Sequence, residues 1–173
     1  MSLSMYQASV PVFAQILTAL DGVLGKAEVH ATAKKIDPAV LLAARLAPDM
    51  FPTSRQVQIA CDFAKGATAR LAGIEVPSWG DNEKTFADLR ERIKKTVDYV
   101  QEFKPAQIDG SEAREVTLKV GPNTRTFKGQ PYLLQFVMPN FFFHSTAAYA
   151  ILRHNGVELG KRDFMGQVPG LNA

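Results

Sequence analysis

Asn140 and His144, one helical turn apart in the run PNFFFHSTAAYAILRHNG, are the residues best placed to do chemistry. An i, i+4 pair on one helix face is the spacing with which two side chains reach a single ion. His144 falls in a stripe with Leu134, Val137, Phe141, Ala148 and Ile151, so its imidazole is expected against the core and needs a partner for each ring nitrogen. Two readings stay open: a core histidine satisfied by hydrogen bonds, or a ligand to a metal or small molecule. The tract Phe141-Phe142-Phe143, with Tyr132, Phe136 and Tyr149, is likewise either core and helix contact or the wall of an apolar pocket.

Cys61 is the only cysteine, which excludes an intrachain disulfide and fits a reducing, cytoplasmic setting. It shares a small-residue face with Val57, Ala60, Ala64, Ala67 and Leu71 and reads as a buried thiol; a ligand or nucleophile needs an electropositive, reachable environment. Asp62 beside it is either surface charge or a partner for Arg55, Arg70 or His144. His154 sits where a helix C-terminus favours a partly positive ring, and His30 lies in a segment expected to be exposed. The sequence has no phosphate loop, nucleophile elbow, Cys-x-x-Cys or His-Glu-x-x-His.

The elements that must position these residues are mostly helices. Val12, Phe13, Ile16, Leu20, Val23 and Leu24 predict a long helix over about 4–24, with Pro11 delaying or kinking its start and a second helical stretch near 26–35. Asp37-Pro38 starts a short helix through Arg45, the prolines at 48 and 52 interrupt, and Thr53 or Ser54 caps a helix ending at Gly73. Asp81 is the expected cap of a third long helix, burying Phe86, Leu89, Ile93, Val97 and Val100, with Asp88, Arg92, Glu91 and Lys95 on its solvated face as i, i+4 pairs. Between 115 and 128 the period shifts to two around Gly121-Pro122-Asn123, which predicts a hairpin. A long helix over about 130–154, bent at Pro139, and a coil tail over about 157–173 complete one domain spanning 1–173.

With 46% hydrophobic residues the chain can bury a full core. A net charge of +3 from scattered, interleaved lysines and arginines argues against a nucleic-acid surface. The first segment has no basic leader and its apolar positions are broken by Gln7, Ser9, Gln15 and Thr18, so it reads as an amphipathic helix and not as a signal or membrane span.

Three helices, a hairpin, then a helix carrying Asn140 and His144 and ending in ILRHNG resemble the DinB/YfiT superfamily of four-helix-bundle metalloenzyme folds. More closely, SMYQASVPVF, KIDPAVLLAARLAPDMFP, RQVQIACDFAKGATARLAG and PNFFFHSTAAYAILRHNGVELGK resemble the bacterial domain-of-unknown-function family numbered nineteen ninety-three, across nearly the whole chain. The resemblance implies a mainly α DinB/YfiT-like four-helix bundle with a short β-hairpin before the last helix. It also implies a divalent-metal position, for nickel or zinc, built from one histidine on the second helix and a His-x-x-x-His pair on the fourth. Here the pair falls on Asn140 and His144, and the second-helix position falls near 59–62, where no histidine occurs. His144 is then the one family ligand kept, with Cys61 or Asp62 as substitutes, and no cofactor is expected. The candidate pocket is Asn140, His144, Cys61, Asp62 and Phe141. Three readings follow: a homodimeric bundle of unknown activity binding a small molecule, a metal-dependent thiol transferase or hydrolase, and a structural interaction protein.

Overall fold

Pro11 starts the bundle without penalty, because at the second position of α1 (Val10–Lys34) its missing N–H is one the helix would leave unpaired anyway. The computed structural model describes residues 3–120 and 122–171. One unbroken helix replaces the two segments expected, since Leu20, Val23, Leu24, Ala27 and Ala31 keep a continuous buried face past Gly22 and Gly25. Lys35 ends it at φ 54°, and the Ile36 amide donates back to the Ala31 carbonyl at 2.9 Å. By length and composition α1 could cross a membrane; its apolar face here is packed into the bundle.

Asp37 caps α2 (Pro38–Ala43) by accepting from the Ala39 amide at 2.9 Å. This helix stops at Ala43, two residues before Arg45. α3 (Thr53–Ala72) has Pro52 at its cap position, so neither Thr53 nor Ser54 serves; Thr53 is the first helical residue and its hydroxyl donates to the Ala44 carbonyl. α4 (Phe86–Gln101) starts later than expected because Thr85, not Asp81, is its cap: Thr85 and Asp88 form a reciprocal capping box. That use of Asp88 removes the expected Asp88–Arg92 pair.

The most extensive packing is α3 on α7 (Met138–His154) and α1 on α4, with Phe13 edge-on to Phe141 at 5.0 Å across the centre. α5 (Pro105–Ile108) follows α4 and buries Ile108. β1 (Glu115–Val120) and β2 (Asn123–Lys128) pair antiparallel in the expected place, with Val116 opposite Phe127. Gly121 of the expected turn lies outside the described residues. The hairpin feeds into α6 (Gly129–Pro131), where a Cβ on Gly129 would meet the Ser111 carbonyl oxygen at 2.0 Å; only glycine lets the chain return so closely.

A π-helical segment, Tyr132–Val137, joins α6 to α7 and is the form the expected bend takes. Pro139 has no N–H to donate and crowds the carbonyl one turn earlier, and the wider turn accommodates it. The extra residue in that turn shifts the register, so Leu133 is buried and Leu134, expected inside, is exposed. Past α7 the tail is not all coil. α8 (Lys161–Met165) docks on α1 through the Lys26–Asp163 ion pair, and Phe164 packs on Tyr149 at 5.9 Å.

Candidate functional site

Where α3 faces α7, their inward polar side chains meet at Gln56 and His144. His144 Nδ1 lies 2.6 Å from Gln56 Oε1, and Gln56 Nε2 donates to the Phe51 carbonyl at 3.1 Å. The second bond fixes the first. Turning the Gln56 amide over would set its oxygen against the Phe51 oxygen, so Oε1 must face the imidazole. A carboxamide oxygen only accepts, hence His144 carries its proton on Nδ1 and leaves a lone pair on Nε2.

Among the described residues Nε2 has no hydrogen-bond partner, and it is not one of the buried polar atoms sealed from solvent. His144 is 9% exposed. Phe63 stacks near-parallel to the imidazole at 6.0 Å, and Phe143 meets it edge-on at 5.2 Å. Burial, with a smaller contribution from the Arg55 guanidinium, holds the ring below the ordinary histidine value, so it is neutral at pH 7. Phe143, which lies against the imidazole, is 56% exposed and gives the site an aromatic surface open to solvent; Phe51, whose backbone carbonyl holds Gln56, is 54% exposed. Surface clefts beside Trp79 and along Val29, His30 and Gly156 are lined by none of the five sequence candidates.

The other four candidates do not join His144. Asn140 donates through Nδ2 to the Phe136 carbonyl at 2.7 Å, bracing the helix across its π-turn. Phe141 is core, against Phe13. Cys61 is fully buried, and burial pushes its thiol up to about 12, so it is not a thiolate near neutrality. Asp62 turns to Arg92 and Lys65, each at 3.0 Å, and not to Arg55, Arg70 or His144.

A divalent ion of the kind the superfamily holds does not fit these residues. Among the described residues no three His, Cys, Asp or Glu side chains gather as a donor set. His144 offers one nitrogen, Asn140's amide faces its own helix, the Cys61 thiol is protonated and Asp62 is neutralised by two cations.

Gln56 is the site residue that sequence reasoning missed, though its signal was the one that singled out His144: a polar side chain one turn before Ala60 on an apolar face. Arg92, expected on the solvated face of α4, is 2% exposed. It contacts Asp62 and Asp81 at 3.0 Å and Glu83 at 2.8 Å, and donates to the Gly80 carbonyl. Asp81 also pairs with Arg55, and Trp79 lies under the ammonium groups of Lys65 and Lys95 at 4.5 and 4.4 Å. These contacts bind the loop between α3 and α4 to both helices.

The model of a domain of unknown function (DUF1993) matches residues 5–165. A solved structure of a DinB family member protein from Shewanella denitrificans is 40% identical, with a TM-score of 0.87 over 97% of this chain and 95% of that one. No curated protein matches the chain.

Proposed function

Because the chain belongs to the DUF1993 family and has a DinB-like fold, we propose that it binds a small molecule on the α3–α7 side of the bundle, with His144 as the polar contact and without a metal. The observation that carries this reading is the relay from the Phe51 carbonyl through Gln56 to His144, which holds a buried imidazole in one orientation and leaves Nε2 free. With Nδ1 committed to Gln56, Nε2 is the ring atom left to meet a molecule arriving from solvent. The exposed ring of Phe143 supplies apolar area against the same imidazole.

The test combines elemental analysis with nuclear magnetic resonance. The expected results are less than one transition ion per chain and side-chain shifts confined to Phe63, Phe143 and His144 when indole is added. One bound ion per chain that is lost in His144→Ala overturns the reading and restores the metal-dependent transferase or hydrolase. The exposure of Phe51 and Phe143 also favours a second reading, a protein that docks on a partner through these rings; indole binding elsewhere, with Phe143 unmoved, selects it.

A further inference from the structure

We infer that the ligand is a neutral hydrogen-bond donor on a flat apolar body, of phenol type, whose O–H donates to Nε2 of His144; this rests on the small-molecule reading above. Four observations select that class. The Phe51–Gln56–His144 relay makes Nε2 an acceptor, so a carbonyl or carboxylate arriving there would meet a lone pair. Arg55 bears on the imidazole with its positive charge, which disfavours an ammonium donor. Among the described residues no cluster of three acids, histidines or cysteines lies there to recruit a cation. Finally, Phe63 stacks on the imidazole and Phe143 stands perpendicular to it, so the donor comes in along the ring plane, and the 56% exposed Phe143 against the same imidazole offers contact to its apolar body.

Geometry also sets the discrimination. A molecule of equal apolar area without the donor gains only contact with the rings, and it leaves a desolvated nitrogen unpaired. The expected difference between phenol and toluene is about fivefold in Kd, the factor a single neutral hydrogen bond supplies.

The experiment titrates phenol, anisole and toluene separately into the full chain labelled with 15N at histidine, following the His144 Nε2 and Nδ1 resonances and the Phe143 ring. Phenol should move Nε2 toward lower frequency in a saturable way while Nδ1 stays protonated, and anisole and toluene should bind about fivefold more weakly with Nε2 unmoved. Equal binding of all three, with Phe143 shifted and Nε2 unchanged, overturns the donor class and leaves the small-molecule reading standing. If none of them disturbs Phe143 or His144, both are overturned.

Discussion

The guanidinium of Arg92 on α4 lies 2.8 Å from the carboxylate of Glu83 in the preceding loop, with the arginine side chain 2% exposed and the glutamate 12% exposed. Two further carboxylates, Asp62 and Asp81, share the same guanidinium, so one residue joins a loop without regular structure to both α3 and α4. Arg92→Leu leaves those acids without their common partner. The expected loss is about 2–4 kcal/mol, below the full figure for a sealed pair because Asp62 and Asp81 reach solvent. Arg92→Lys should recover less than half, since one ammonium cannot span three acceptors. Urea unfolding followed by circular dichroism measures both; a loss under about 0.5 kcal/mol for Arg92→Leu contradicts this account.

The same cluster shows what the sequence could and could not convey. The long helices of the bundle, the Asp37 cap, the hairpin and the burial of Phe86, Leu89 and Ile93 follow from periodicity and turn chemistry, which are local. Arg92 has identical local signals to an exposed arginine; its burial depends on acids 9 to 30 residues away. Asp81 was legible as a helix cap and serves instead as a partner for Arg55 and Arg92, because Thr85 and Asp88 form the better box. At the site, His144 stood out as a polar residue in an apolar stripe. Its partner Gln56 is 88 positions away, and no pattern along the chain encodes that meeting. The π-turn before Pro139 also displaced Leu134, which regular helix geometry had placed inside.

Acidification should charge His144 at a cost to the fold. Its folded value is lowered from 6.5, chiefly by burial and then by Arg55, so the unfolded chain binds the proton more readily. Stability contributed by the neutral ring is complete above about 6.5 and is lost as pH falls from there through the lowered folded value. Thermal midpoints of the protein and of His144→Gln between pH 7.5 and about 4.5 isolate this component. Their difference should change below about pH 6.5; parallel curves would show that the ring titrates alike in both states.

Cys61 carries the opposite dependence at the alkaline end. Burial raises its thiol from 9.0 to about 12, so stability is complete below about 9 and declines as pH rises from there through about 12. The steeper alkaline loss should disappear in Cys61→Ala, which at neutral pH costs about 1–2 kcal/mol from the small cavity it leaves. A thiol reagent such as dithiobis(nitrobenzoate) should not modify the folded chain and should react at once in denaturant. Rapid modification under native conditions would mean that the thiol is not enclosed by α3 and α4.

Gln56→Glu should reverse the polarity of the site. A carboxylate in place of Oε1, 2.6 Å from Nδ1, favours the doubly protonated ring, so Nε2 gains a proton and becomes a donor. The folded histidine value then rises above its unfolded one. The stability it supplies is complete below about 6.5 and is lost as pH rises through the new folded value, the inverse of the parent chain. Ligand preference should invert with it: benzoate, which offers only acceptors, should bind the variant more tightly than phenol, whereas the parent ranks them the other way. The Nε2 resonance read during titration with each compound checks both effects. An imidazole that stays neutral at pH 7 in the variant would mean that Gln56 does not set the proton on His144, and the phenol-type assignment would fall with it.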